Sequence, residues 1–339
     1  MIRAALAGVG KMGISHCSIL NAHRDVDLVA VCDTSRFILN AGARFTRFRG
    51  YTDFQEMLNQ CDLDCVVVAT PTRSHVDMVC FALERGVAVY VEKPFCLHVE
   101  EGKKMAALAE RKQLANQVGY HNRFIGSFRE AKRLVDGNVI GDVYHVLGES
   151  YGPVVLRTKG RTWRAAKSEG GGCLYDYASH VVNLIQFLVG SPKAVAGTVL
   201  RSIYSEHVDD AVYSTLLFED GVSGQLSVNW SDETYRKMST QITILGKRGK
   251  IIVDAQECRV YLREKNEGEG LTKGWNVRYL TELTERVDFY LRGEEYSAQI
   301  DYFVNCVKEK RFENINSFSS ALQTDIVVEM LRTDALSRS

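Results

Sequence analysis

Three groups of residues have types and spacings that could do chemistry. The first is Gly8-Val9-Gly10-Lys11-Met12-Gly13, with Asp33 about twenty residues further on. Glycines so placed allow a tight turn at Gly8, leave room at Gly10 for a pyrophosphate, and let a helix pack closely at Gly13. The free amides and positive dipole end of that helix suit phosphates. The Asp33 carboxylate suits the hydroxyls of an adenosine ribose. The second is Lys93, in Glu92-Lys93-Pro94. Partial desolvation could move its pKa toward neutrality and fit it for proton transfer. A surface lysine whose stem lies along apolar neighbours fits the same spacing. The third is the pair Asp176 and His180, which share one face if the segment is helical. A helix-surface hydrogen bond, metal ligation and an acid/base assembly all accommodate that pair, but no further cluster completes a metal-ligand set. A basic run, Arg157, Lys159, Arg161, Arg164 and Lys167, reads either as an anion site or as a solvated loop.

The elements that must carry these residues follow from hydrophobic pattern. Ala4, Leu6 and Ala7 lead into the glycine turn, and a second apolar run covers 26–32, which gives strand, turn, helix and strand. Helices over 37–45 and 54–59 follow. A buried strand over 64–70 ends in Thr70-Pro71-Thr72, and a helix over 74–85 begins close to His75. His75 reads as a helix-terminus histidine beside the same edge. A further strand over 87–91 runs into Glu92, and a helix over 99–111 and a strand over 115–119 complete the series. The alternation predicts an α/β fold, a doubly wound parallel sheet over residues 1–121. Ligands bind such sheets off the carboxyl ends of the strands. The glycine turn, Asp33, Thr70, Pro71, Thr72, Glu92 and Lys93 all fall at those ends.

Residues 122–339 read as a second, α+β domain. A helix over 127–136 precedes strands over 143–150, 194–203, 211–218, 225–230, 241–245 and 250–254, which predicts a large, mainly antiparallel open sheet. Gly170, Gly171 and Gly172 read as a mobile stretch ahead of the helix bearing Asp176 and His180. Residues 264–270 read as a charged loop, and the pattern is weak from there to 295. Helices over 297–308 and 318–331 close the chain.

The length of 339 residues suits two domains. Charge is balanced, 42 basic against 42 acidic residues, which gives no footprint for nucleic acid or an anionic membrane. No run is long enough to span a membrane and no leader pattern opens the chain, so a soluble cytoplasmic protein is expected. The nine cysteines are scattered, mostly within apolar runs, and lack zinc spacing, which suits a reducing compartment and no metal.

Taken in order, AGVGKMG, Asp33, ATPTRSH at 69–75, VEKPF at 91–95, GYHNRF at 119–124 and GGGCLYDYASH at 170–180 resemble the Gfo/Idh/MocA oxidoreductases. The resemblance implies a nicotinamide-binding Rossmann domain and a C-terminal sheet domain that often serves oligomerisation, here as a homodimer or homotetramer. It also implies a catalytic set of Lys93, Asp176 and His180. The dinucleotide contacts it suggests are Gly8, Val9, Gly10, Lys11, Met12, Gly13, Asp33, Thr34, Arg36, Thr70, Pro71, Thr72, His75, Glu92, Lys93 and Asn122. The substrate contacts are Lys93, Arg123, Trp163, Arg164, Asp176 and His180. Asn183 departs from the pattern, since many members carry an aspartate there.

Oxidation of a carbinol needs a proton acceptor and a donor to the reacting oxygen beside the nicotinamide. His180 oriented by Asp176 suits the first role, and Lys93 suits stabilisation of developing negative charge. The expected function is hydride transfer between a nicotinamide and a cyclic polyol, sugar or sugar derivative. The alternatives are a glycoside-cleaving member that holds NAD tightly and a non-catalytic dinucleotide-binding regulator. Asp33 repels a 2′-phosphate and favours NAD, while Arg36 could pair with that phosphate and favour NADP.

Overall fold

The computed structural model describes residues 1–43, 47–157 and 163–337; Phe45, Lys159 and Arg161 lie outside the described residues. The chain forms two units, Met1–His121 with Arg286–Leu322, and Asn122–Glu285 with the residues from Gln323 onward.

The N-terminal segment runs β1 (Ile2–Ala7), α1 (Lys11–Ala22), β2 (Val26–Cys32), α2 (Arg36–Ala43), β3 (Arg49–Tyr51), α3 (Phe54–Gln60), β4 (Cys65–Val68), α4 (His75–Glu84), β5 (Ala88–Val91), α5 (Val99–Lys112) and β6 (Asn116–Val118). The six strands lie in the order β3-β2-β1-β4-β5-β6, every pair parallel. Their sequences explain why. Strands of Ala, Val, Leu and Cys with no polar alternation must be covered on both faces. Ala5, Ala7, Val66, Val68, Val89 and Val91 enter one core with Leu83 and Met105. The alternate residues Ala4, Leu6, Cys65, Val67, Ala88 and Tyr90 enter the other with Ile19 and Leu20. Strand order reverses between β1 and β4, so the crevice for a ligand opens at their carboxyl ends.

The second unit contains α6 (Gly126–Asp136), β7 (Val143–Tyr151), α7 (Val154–Arg157), α8 (Ser179–Val189), β8 (Ala194–Arg201), β9 (Ala211–Leu217), β10 (Ser223–Asn229), β11 (Ser239–Gly246), β12 (Gly249–Asp254), β13 (Glu257–Leu262), β14 (Gly274–Tyr279) and α9 (Leu280–Leu283). Two helices follow in the chain, α10 (Glu294–Lys308) and α11 (Phe318–Leu336). The eight strands order as β14-β13-β12-β11-β7-β10-β9-β8, antiparallel except for β7 beside β10. One face of the sheet buries Val146, Leu226, Val228, Ile242, Ile244, Ile251 and Val253 against Phe128 and Leu134 of α6 and Val181, Ile185 and Leu188 of α8.

Three features differ from the sequence expectation. β14 lies within the weakly patterned stretch before residue 295, and β13, just ahead of the charged loop, is a strand beyond those the sequence pattern predicts. β14 is an edge strand with no fully buried position, so no apolar face marks it. β3, three residues long, is a strand the sequence pattern does not predict. Residues 286–322, assigned by pattern to the second domain, fold with the first: Ile300, Phe303, Val304 and Cys306 of α10 complete the core on the Leu6 face. Among the described residues no helix is long and apolar enough to cross a membrane.

Candidate active site

At the carboxyl edge of the parallel sheet, β1 turns through Gly8 at φ +90, where a Cβ would stand 2.7 Å from the Ala69 carbonyl oxygen. Gly13 closes the turn, since a Cβ there would lie 1.9 Å from the Gly8 oxygen. Gly10 differs: nothing lies within 4 Å of its Cβ position. It is also the N-cap of α1, with no side chain bonded to the helix end, so the first amides are available to a ligand. Asp33, at the end of β2, accepts from the Val9 amide at 2.7 Å and the Ser35 amide at 2.8 Å. A carboxylate has about four lone-pair sites, so it keeps capacity for ribose hydroxyls. Open space over Gly10, uncapped amides behind it and an acid at the next strand end together fit a dinucleotide. Lys11, Thr34, Arg36 and Pro71 are exposed around this edge, Val9, Met12 and Thr70 are half-buried, and Thr72 is buried.

Lys93 is half-buried directly after β5, and its peptide bond to Pro94 is cis. Its amide donates to Glu92 Oε2 at 3.3 Å. The other oxygen of Glu92 lies 2.6 Å from Nε2 of His16, a residue of α1 whose ring is fully buried. Burial alone would raise the Glu92 pKa. The bond and charge of His16, aided by Lys93 and His121, outweigh it and hold the carboxyl below its ordinary value. His121 stacks on Tyr296, ring centres 4.6 Å apart, and burial pushes its pKa down to about 4. His75 is 1% exposed, with Nδ1 3.2 Å from the Phe95 carbonyl and Nε2 3.1 Å from the Thr70 carbonyl. Burial lowers its pKa, so the ring is neutral and donates to one carbonyl at a time. It ties two loops of the edge together from within.

In the second unit, the segment bearing Asp176 begins as a π-helical turn, Leu174–Ala178, and continues as α8. Such turns insert one extra residue and recur at functional sites. Asp176 and His180 are both buried, 3% and 4% exposed. Arg164 Nε donates to Asp176 Oδ2 at 2.8 Å, and its guanidinium lies 4.7 Å from the centre of the Trp163 ring. Arg123 is also buried, and Asn183 Oδ1 accepts from its Nε at 2.7 Å. Asn183 in turn donates to Thr324 at 3.0 Å. Asn122 is buried, and its side-chain nitrogen finds no partner among the described residues.

The first unit therefore gathers the glycine turn, Asp33, Thr70 to Thr72 and Lys93 on one edge, with His75 and Glu92 turned toward internal partners. The second brings Arg164 onto Asp176 and Arg123 onto Asn183. Arg157 is described only in its backbone. His16 and His121 escaped the sequence reading. A histidine on the buried stripe of the glycine helix was the one available signal for His16.

Two family profiles match the chain. One, described as an oxidoreductase family with an NAD-binding Rossmann fold, covers residues 2–120, and the GFO/IDH/MocA C-terminal domain covers residues 128–252. The chain is 22% identical over 332 residues to scyllo-inositol 2-dehydrogenase (NAD(+)) of Bacillus subtilis strain 168, covering 96% of this chain and 92% of that protein. Among solved structures, an oxidoreductase domain protein from Kribbella flavida superposes with a TM-score of 0.88 at 25% identity, covering 100% of this chain and 98% of that one. A levoglucosan dehydrogenase in complex with NADH and levoglucosan superposes with a TM-score of 0.86 at 21% identity, covering 100% and 98%.

Proposed function

The chain belongs to the Gfo/Idh/MocA oxidoreductases, NAD-dependent enzymes, and from that premise we propose that it transfers a hydride between NAD and a carbinol carbon of a cyclic polyol, sugar or sugar derivative. The observation that carries this reading is the uncapped start of α1 under open Gly10, on the same sheet edge as Lys93. NAD, when bound, accepts or returns the hydride. The chain's own residues handle the rest. The amides of the glycine turn take the phosphates, and Asp33 takes the ribose hydroxyls and repels a 2′-phosphate. The Lys93 ammonium donates to the reacting oxygen and stabilises charge as it develops there. His180 accepts or returns the hydroxyl proton, and Asp176 holds it oriented.

The levoglucosan and inositol dehydrogenases among the similar proteins support a neutral polyhydroxylated ring as substrate. All nine cysteines are free, which supports a reducing cytoplasm. The partly exposed Tyr261–Trp275 pair on adjacent strands of the large sheet supports self-association there. The test is a panel of inositols, sugars, an anhydrosugar and sugar nucleotides, each offered with NAD and NADP. A net rise in nicotinamide absorbance with one of them supports the reading. Glycoside cleavage without net change transfers support to a lyase-like redox cycle, and no response across the panel opposes a dehydrogenase. Tighter binding of NADPH than NADH overturns the cofactor assignment.

A further inference from the structure

The three glycines ahead of the catalytic helix read in sequence as a mobile stretch, but two of them are seats for other residues. A Cβ on Gly171 would meet the Arg164 carbonyl oxygen at 2.4 Å. Gly172 has φ +111, and its Cβ would lie 2.6 Å from Asp209 Oδ1. Asp209 stands just before β9 and reaches the helix twice. Its Oδ2 accepts from the Leu174 amide at 2.6 Å, and its carbonyl accepts from the Cys173 amide at 2.8 Å. Its neighbour Asp210 fixes the support. That carboxylate accepts from the amides of Ile203, Tyr204 and Ser205 and from Trp230 Nε1, all within 2.8 Å.

We propose that Asp209 is a positioning residue for the reaction: it anchors the first turn of the helix and so sets where Asp176 and His180 stand. The proposal rests on the reading that these two residues carry turnover. Leu174 is the residue on which the π turn begins. Asp209 holds its amide, and its carbonyl accepts from Ser179 five residues on. If the anchor were lost, the turn could relax to α geometry, and the residues ahead of it would shift by one helical position, about 100° around the axis. Asp176 lies inside that turn. Burial raises the Asp209 pKa to about 6, so the ionised carboxylate is kept at neutral pH at some cost to the fold.

The test compares Asp209→Ala, Asp209→Asn and, as control, His180→Ala. Turnover is measured on whichever of scyllo-inositol, myo-inositol, levoglucosan and the other panel compounds the wild type oxidises fastest. Asp209→Ala should lower kcat about a hundredfold with KM and NADH affinity changed by about twofold or less. Asn keeps an oxygen for the Leu174 amide, so it should recover most of that loss. Amide exchange at 173–177 should quicken in the alanine variant and not in the asparagine variant. Wild-type kcat in Asp209→Ala, or an asparagine variant as impaired as alanine, overturns the proposal. Where Asp209→Ala does not fold, Gly172→Ala displaces the carboxylate instead, and normal turnover in that folded variant overturns it equally. Full activity in His180→Ala sinks the underlying catalytic reading, while the exchange data still report whether Asp209 anchors the helix.

Discussion

Gly10→Ala separates the dinucleotide site from the fold. Gly10 has φ −70 and ψ −171, a conformation open to alanine, and nothing within 4 Å of its Cβ position. Placing alanine at an N-cap costs up to about 1 kcal/mol relative to glycine, a Tm change of about 2–4 °C. The methyl instead fills the space a pyrophosphate must enter. Each charge-assisted hydrogen bond lost there is worth about 1.5–3 kcal/mol, about 10- to 150-fold in affinity. NADH fluorescence titration reads this directly. Thermal scans read it independently: at a ligand concentration about 100 times the wild-type Kd, wild type gains about 2.7 kcal/mol, whereas a variant binding about 100-fold more weakly gains about 0.4 kcal/mol. A folded Gly10→Ala protein that binds NADH as tightly as wild type would refute the placement of the phosphates. Gly13→Ala is the contrast. Its Cβ would lie 1.9 Å from a backbone oxygen, so stability and binding should fall together.

Other expectations follow from the same contacts. His16→Ala takes from the buried Glu92 its closest partner, a loss of about 3–5 kcal/mol. Calorimetry should show His16→Ala less stable than the His16→Ala/Glu92→Gln double variant, and equal stabilities would contradict the pairing. Asp209 has a folded pKa raised to about 6, so its contribution is full below the ordinary aspartate range and lost as pH rises through about 6. That difference amounts to about 3 kcal/mol. Asp209→Asn should therefore be more stable than wild type at pH 8 and little different at pH 4, as denaturant titrations at the two pH values would show. Arg164 donates to Asp176, so Arg164→Ala should lower kcat as well as raise KM; a change in KM alone would make Arg164 a substrate contact only.

The parallel sheet was readable because its inner strands β4 and β5 and the buried part of β1 are wholly apolar, as covering both faces demands. The glycine turn was readable because steric need leaves few substitutes at Gly8 and Gly13. What escaped had a physical cause in each case. β14 has no buried face to leave a pattern. Arg286–Leu322 follows the second unit's strands in sequence but folds with the first, and apolar periodicity states that α10 is buried without stating against what. The glycines at 170–172 signalled freedom, whereas Gly171 and Gly172 answer to close neighbours brought from elsewhere in the chain, the Arg164 backbone and Asp209. His16 and Glu92 are distant in sequence, so their contact at 2.6 Å was not legible from spacing. The Leu174 amide at the start of the π turn likewise donates to Asp209, a long-range partner with no local signature.

Following the hydride tests the assigned chemistry most directly. Substrate deuterated at its carbinol carbon is incubated with NAD and wild-type, Lys93→Ala or His180→Ala protein, and deuterium in the nicotinamide is measured by mass spectrometry. Label is expected in the cofactor with wild type. Each variant is expected to bind NADH normally while transferring label about a hundred- to ten-thousandfold more slowly. Absence of label in the cofactor from any oxidised panel substrate, or wild-type transfer by a folded His180→Ala protein, would contradict that chemistry.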